Sequence, residues 1–119
     1  MGNFKKLRVW LDAVDLATGI YKLTAREPFC KDFGLSSQIQ RAAVSIASNI
    51  AEVDERNTNK EAIQFFRIAK GSAVEVITQL NITYRVGYLE EDHFTRTEDF
   101  TEKIRASLKN LIKERSKKS

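Results

Sequence analysis

The sequence predicts a single all-α domain over residues 1–119, folded as an up-down-up-down antiparallel four-helix bundle. Apolar residues recur with the 3.6-residue period of an amphipathic helix in four segments, and no segment alternates with period two. One proline and five glycines among 119 residues are too few for a loop-rich β protein. Because the connections between the four segments are short, consecutive helices are expected to be antiparallel neighbours.

The first helix is predicted over about 7–25. Pro28 cannot continue it, because the proline ring lacks an amide donor and clashes with the preceding turn. Asp12 and Asp15 are expected on the solvent side of this helix. The expected core stripe consists of Trp10, Ala13, Val14, Ala17, Ile20, Tyr21 and Thr24, with Val9, Leu16 and Leu23 extending it.

The second helix, predicted over about 35–55, is expected to contact neighbours on both faces. Its apolar side is formed by Ile39, Ala42, Ala43, Ile46, Ile50 and Val53. The other side carries Ser, Asn and Gln where an ordinary surface helix would carry Lys and Glu. Short polar groups can be satisfied by hydrogen bonds in a contact where long charged ones cannot. This composition indicates assembly rather than catalysis.

The third helix, over about 59–86, has recognisable signals at both ends. Thr58 and Glu61 fit a capping box, in which each side chain bonds a backbone amide of the other residue. Gly87 stands where a C′ residue would end the helix. Its expected core stripe is Ala62, Phe66, Ala69, Ala73, Val76, Ile77, Leu80 and Tyr84. The fourth helix, over about 91–115, precedes a short basic tail and has Phe94, Thr97, Ile104, Leu108 and Leu111 at near-heptad spacing.

The segment Q-I-Q-R-A-A-V-S-I-A-S-N-I-A-E at 38–52 resembles the signature of the bacterial four helix bundle protein family. That family includes the proteins encoded by intervening sequences of large-subunit ribosomal RNA genes. Its relatives include the accessory variability determinants of diversity-generating retroelements. Segments 7–10, 33–35 and 68–72 agree with the family in order and spacing. Val53 departs from the pattern, because the family usually has Gly there, and the departure concerns the turn that follows.

This resemblance implies partners as well as a fold. Members of the family form pentameric rings, so a homopentamer is expected. The retroelement branch implies association with a nucleic-acid enzyme such as a reverse transcriptase. From the residues themselves, helices two and three are expected to share an oligomer face, or else a polar network that fixes helix register. This oligomer or polar-register face, called the polar face below although it includes two apolar residues, consists of Gln38, Arg41, Ser45, Asn49, Glu52, Phe65, Ile68, Ser72 and Glu75.

The net charge of +4 is concentrated near the two ends of the chain. In an antiparallel bundle these ends converge, which creates a basic pole that would attract RNA or DNA phosphates. Alternatively, the same cations only complement helix dipoles and are solvated. The basic pole consists of Lys5, Lys6, Arg8, Lys113, Arg115, Lys117 and Lys118. The opposite end is expected to be acidic, with Glu90, Glu91, Asp92, Glu98 and Asp99.

No cofactor, metal site or catalytic site is predicted. Glu90 and His93 have the Glu-x-x-His spacing of di-iron bundles, but such sites need two copies, and this chain has one histidine. The single cysteine, Cys30, favours a reducing cytoplasm, and the longest uncharged stretch, 42–51, is too short to span a membrane. Two functions remain open. One is a non-enzymatic, nucleic-acid (RNA)-associated accessory or scaffold protein. The alternative is a protein-interaction scaffold that binds no nucleic acid.

Overall fold

The computed structural model describes residues 7–117, and these form four long helices in a four-helix bundle, which confirms the predicted fold class. The helices are α1 (Arg8–Thr24), α2 (Phe33–Val53), α3 (Asn59–Arg85) and α4 (Glu91–Ser116). A short 3-10 helix, Phe29–Lys31, lies between α1 and α2. The helix ends differ from the predicted ones by at most two residues.

The bundle is a rod of 47 × 22 × 21 Å in which neighbouring helices run antiparallel. The α2–α3 and α3–α4 pairs pack most extensively, and the α1–α4 pair packs least. At one end, Arg115 Nη1 donates a hydrogen bond to Asn59 Oδ1 at 3.1 Å, which joins the end of α4 to the start of α3. At the other end, Arg26 of the α1–α2 connection bonds His93 near the start of α4. The order of the helices therefore places both described chain ends at one end of the rod.

The predicted core stripe of α2 is confirmed. Its six apolar residues are all buried, and they join residues of the other three helices in one apolar cluster. Ile46, Phe66 and Leu108 belong to this cluster, while Trp10 packs against its edge and is only partly buried. Because the apolar stripe of α2 is narrow and lies between polar residues, only one rotation of the helix about its axis buries it.

The predicted core stripe of α1 is confirmed at Ala13, Ile20 and Thr24, which are buried, but its rotation about the helix axis is shifted. Val9, Leu16 and Leu23, expected at its margin, are buried, whereas Tyr21 is 50% exposed. Apolar residues cover about half of this helix, so the sequence pattern fits two rotations about its axis. α1 packs mainly on α2 and little on α4. These contacts select the rotation that buries Val9, Leu16 and Leu23, which are spaced seven residues apart.

Asp12 was expected on the solvent side of α1, and this prediction is also wrong. Its carboxyl group lies in the first turns of the helix and the residue is only 4% exposed. Arg8 Nε lies 3.2 Å from Asp12 Oδ1, so the buried carboxylate has a cationic partner one turn away. A buried charge is tolerated when it is paired in this way.

Both ends of α3 carry the caps that the sequence indicates. The Glu61 amide donates to Thr58 Oγ1 at 3.1 Å, while the Glu61 carboxylate accepts from the Asn57 amide at 3.3 Å, one residue before the capping-box position. At the other end, Gly87 has φ of 87° and its amide donates to the Tyr84 carbonyl at 3.0 Å. The next amide bonds the carbonyl of residue 83, which completes a Schellman motif.

The turn after Val53 requires no glycine. Val53 is the last residue of α2 and is buried, and its carbonyl accepts from the Arg56 amide at 3.2 Å. Among residues 7–117, positive φ occurs only at Gly87. The chain therefore leaves α2 through right-handed turn conformations that valine adopts without strain.

The start of α2 is held by a contact that sequence reasoning did not find. Asp32 Oδ1 accepts from the Leu35 amide at 3.1 Å, which caps the helix. The Tyr88 hydroxyl donates to Asp32 Oδ2 at 3.0 Å, and this hydrogen bond, with burial and the nearby negative charge, raises the pKa of Tyr88. The α3–α4 connection is thereby tied to the N-terminus of α2.

Candidate nucleic-acid interface

The basic pole is only partly represented in the described residues. Lys5, Lys6 and Lys118 lie outside them. Lys113 is exposed in the last turn of α4, and Lys117 is exposed directly after the helix. The remaining two members of the pole, Arg8 and Arg115, contact other parts of the chain.

Arg8 and Arg115 both have structural contacts that engage their charge. Arg8 pairs with the buried Asp12 carboxylate at 3.2 Å. Arg115 is half-buried, donates to Asn59 and lies with its guanidinium carbon 5.6 Å from the centroid of the Phe66 ring. A guanidinium held over an aromatic face and against an amide oxygen joins α4 to α3. These two residues are therefore less available to a phosphate than the exposed lysines.

A basic groove lies beside the pole, between the start of α3 and the end of α4. Lys60, Gln64 and Arg67 follow each other at i, i+4 and i+7, so they share one face of α3. With Ile63 and Ser116 they surround a cavity of about 320 Å³. This arrangement brings cations from the start of α3 next to the last turn of α4.

Two more cations extend the basic groove along α4, on the helix face that carries Ser116. Lys109 and Lys113 lie seven and three residues before Ser116 and share its face of α4. Both side chains are exposed, as are those of Lys60 and Arg67. Within the part of the chain that the structure describes, the ion pairs involve other residues. The sequence reasoning missed Arg67 and Lys109, although the seven-residue spacing of Lys60 and Arg67 was a usable signal.

Part of the predicted polar face is used inside the chain. Ser72, only 5% exposed, donates from Oγ to Ser45 Oγ at 2.9 Å. Asn49 Nδ2 donates to the Ser45 carbonyl at 2.8 Å and to Ser45 Oγ at 3.0 Å. These three residues form a hydrogen-bonded network between α2 and α3, as expected of groups that fix helix register.

Arg56 covers two further members of the polar face. Its Nη2 lies 3.2 Å from Glu52 Oε1, and its guanidinium carbon lies 5.0 Å from the centroid of the Phe65 ring. Phe65 is therefore partly buried under a cation of its own chain.

The rest of the polar face is open to solvent. Gln38, Arg41 and Glu75 are exposed around a cavity of about 330 Å³ between α2 and α3. Gln79 Oε1 borders this cavity, is shielded from solvent and has no hydrogen-bond partner among the described residues. Ile68, 50% exposed, lies on the same side of α3.

A second open surface is apolar. Tyr21 of α1 and Val44 of α2 are exposed on either side of a groove of about 440 Å³. Val14, Ala17 and Ala47 complete its apolar lining. The sequence reasoning placed Val14, Ala17 and Tyr21 in the core because it assigned α1 a shifted rotation. It did not single out Val44 of α2.

The described residues show no metal-binding group. Between residues 7 and 117, no three or more His, Cys, Asp or Glu side chains are arranged to hold an ion. His93 Nε2 instead lies 3.2 Å from Arg26 Nη1. Over the same residues, none of the helices combines the length and apolar character needed to cross a membrane.

The family described as 23S rRNA-intervening sequence protein matches residues 5–110 of the chain. The chain belongs to this family. The resemblance inferred from the signature of α2 is thereby confirmed. A search among curated proteins found no match.

A solved structure supports the fold of this intervening-sequence protein. A protein of unknown function from the S23 ribosomal protein family of Bacteroides thetaiotaomicron superposes with a TM-score of 0.83 at 24% sequence identity. The superposition covers 88% of this chain and 95% of that chain. The likeness shows a shared fold. Within the family match, Lys60, Arg67 and Lys109 lie inside the matched region, whereas Lys113 and Lys117 lie beyond it.

Proposed function

We propose that this protein is a non-enzymatic, RNA-associated accessory or scaffold protein that binds phosphates through the basic groove and the exposed lysines of the basic pole. The observation that carries the proposal is the set of exposed cations that α3 and α4 bring together without described carboxylate partners: Lys60, Arg67, Lys109 and Lys113. Membership in a family named for ribosomal RNA intervening sequences supports RNA as the nucleic acid.

The chemistry of the basic groove favours phosphates over bases. Lysine is a flexible point charge, and its contacts to phosphate carry no sequence information. The groove is lined by Ile63, Gln64 and Ser116 besides its cations, with no aromatic ring on which a base could stack. We therefore expect RNA and DNA of unrelated sequence to bind with similar affinity.

We further propose self-assembly, to the pentamer that the family resemblance implies. Two observations support a covered surface on α3. Gly71 lies in mid-helix, where glycine is unfavourable, yet a Cβ there would meet nothing within 4 Å in its own chain. Ile68 and the unpartnered Gln79 Oε1 lie on the same side of the helix. A ring would repeat the basic groove and let weak contacts act together on one strand.

Fluorescence anisotropy with a labelled single-stranded RNA tests the phosphate-binding proposal. A triple variant, Lys60→Gln, Arg67→Gln and Lys109→Gln, removes three cations of the basic groove. At about 50 mM salt we expect at least tenfold weaker binding, since each lost phosphate contact weakens affinity. Unchanged affinity would contradict the proposal.

A matched control removes the same charge elsewhere. The control variant carries Lys31→Gln, Arg85→Gln and Lys103→Gln, three exposed cations outside the groove. We expect it to retain most of the affinity. If both triple variants lose affinity equally, net charge rather than the basic groove determines binding.

The apolar groove between α1 and α2 supports a second candidate, a protein-interaction scaffold. Its exposed residues include Tyr21 and Val44, which is 41% exposed. A purified partner such as a reverse transcriptase from the same genomic neighbourhood would bind there with little salt dependence. Tyr21→Glu would abolish that binding and leave RNA affinity unchanged. Light scattering on the parent protein tests assembly, because a species near 13.6 kDa would rule out an oligomer.

A further inference from the structure

A cleft separates α1 from α4 at the end of the bundle opposite the basic pole. Its volume is about 380 Å³, within the size range of small-molecule sites. Leu16 and Leu23 of α1 and Phe100 of α4 give it an apolar floor. We name this feature the α1–α4 cleft. Among the neighbouring helix pairs of the bundle, α1 and α4 pack least extensively.

A glycine keeps the α1–α4 cleft open. Gly19 lies in the middle of α1 and lines the cleft, and a Cβ at this position would meet nothing within 4 Å. No close helix contact within the chain therefore requires glycine here, although glycine in mid-helix is unfavourable. A larger side chain at this position would project into the space between the helices.

The rim of the α1–α4 cleft is cationic, although the same end of the bundle also carries the acidic residues Glu90, Glu91 and Asp92. Lys22, Arg26 and Arg96 line it, against one carboxylate, Asp15. Arg96 Nη2 also lies 3.0 Å from Asp92 Oδ2, so part of its charge is already balanced. Lys22 and Arg26, by contrast, form no ion pair among the described residues.

Arg26 contacts an imidazole rather than a carboxylate. Its Nη1 lies 3.2 Å from His93 Nε2, and a guanidinium has donors only, so the imidazole nitrogen accepts. The contact orients the guanidinium at the mouth of the cleft. Glu27 and Glu90 line a small cavity next to Arg26, but neither forms an ion pair with it among the described residues. A carboxylate could take the remaining donors in a bidentate pair.

We propose that the α1–α4 cleft binds a small amphipathic carboxylate, with its aromatic or short aliphatic body on the apolar floor and its carboxylate on Arg26 and Lys22. The apolar floor matches a hydrocarbon body, and the cationic rim matches one negative group next to it. This site is independent of the proposed RNA function, because the basic groove lies at the other end of the bundle.

Isothermal titration with 2-naphthoate, and with the neutral 2-naphthylmethanol as a matched ligand, tests the proposal on the full chain. We expect 2-naphthoate to bind with Kd below about 1 mM and the alcohol to bind at least tenfold more weakly. Arg26→Gln is expected to weaken naphthoate binding about tenfold and to leave binding of the alcohol unchanged. Equal affinity for the two ligands, or no binding of naphthoate, would overturn the proposal.

Two substitutions at Gly19 locate the binding site. Gly19→Leu fills the cleft without changing any charge and should abolish naphthoate binding, whereas Gly19→Ala should retain it. Circular dichroism confirms that both variants are folded, and light scattering reports their mass. Undiminished naphthoate binding by Gly19→Leu would place the ligand elsewhere. If Gly19→Leu changes the mass of the oligomer but not the affinity for naphthoate, the cleft is a contact between subunits. This result would also overturn the proposal.

Discussion

The α2–α3 and α1–α4 pairs of this bundle solve the same packing problem differently. Between α2 and α3, buried apolar residues are accompanied by hydrogen bonds among Ser45, Asn49 and Ser72. Between α1 and α4, the helices stand apart around a cleft of about 380 Å³ with a cationic rim. The first pair fixes the register of the bundle, and the second leaves space that stability does not require. We expect mutations in the two pairs to have correspondingly different effects.

The largest effect is expected from Phe66→Ala. Phe66 of α3 is fully buried and also supports the Arg115 guanidinium. Its truncation should lower the free energy of unfolding by about 3–5 kcal/mol, as measured by urea denaturation. Phe100→Ala, in the half-buried floor of the α1–α4 cleft, should cost about 1–2 kcal/mol. If both variants lower the free energy of unfolding equally, the α1–α4 pair is packed as tightly as the α2–α3 pair, which would contradict the comparison.

A charge inserted between α2 and α3 should be nearly as damaging. Ser45→Lys would remove a hydrogen-bonded hydroxyl 2.9 Å from Ser72 and force a long cation between the helices. We expect a loss of about 2–4 kcal/mol, measured by thermal unfolding. Ser48→Lys, three residues later on the exposed surface of α2, is the matched control and should change unfolding by less than about 0.5 kcal/mol in the isolated subunit.

A stabilising effect is expected in the looser pair. Gly19→Ala adds a Cβ that meets nothing within 4 Å and removes the backbone freedom of a mid-helix glycine. The free energy of unfolding should rise by about 0.5–1 kcal/mol. A loss of stability in denaturant titration would mean that α1 and α4 approach each other more closely than the cleft implies.

The smallest effect concerns pH. The hydrogen bond from Tyr88 to Asp32 raises the pKa of Tyr88 above its ordinary value of 10.0. A group whose pKa is raised on folding stabilises the protein below its unfolded pKa, and this contribution is lost as the pH rises through the folded pKa. Tyr88→Phe should therefore be less stable than the parent at neutral pH, and the difference should shrink above about pH 10. A difference that stays constant to higher pH would contradict this assignment.

The sequence pattern identified the bundle and the rotation of α2, but only part of the buried face of α1. In α2, one narrow apolar stripe lies between short polar residues, so the residues Ile39 and Ile46 had to face the core. In α1, Val9 and Tyr21 both belong to a broad apolar surface, and only the contacts with α2 decide which one is buried. Local periodicity specifies a helix, whereas its rotation depends on neighbours that are distant in sequence.

The candidate interface was predictable only in outline. The net charge near the chain ends pointed to the end of the bundle at which the basic groove lies. The contribution of Arg67 and Lys109 depends on how α3 and α4 pack side by side, which single-helix patterns do not reveal. Arg115 was predicted to belong to the basic pole, but its contacts with Asn59 and Phe66 give it a structural role, which its charge alone does not reveal.

The dependence of RNA affinity on salt tests the central claim most directly. If the basic groove binds phosphates, the logarithm of the association constant should fall linearly with the logarithm of salt concentration, by about 0.7 per phosphate contact on a single strand. RNAs of unrelated sequence should give the same slope, and the Lys60, Arg67 and Lys109 triple variant should give a shallower one. Affinity that does not change with salt, or no binding at low salt, would contradict the account.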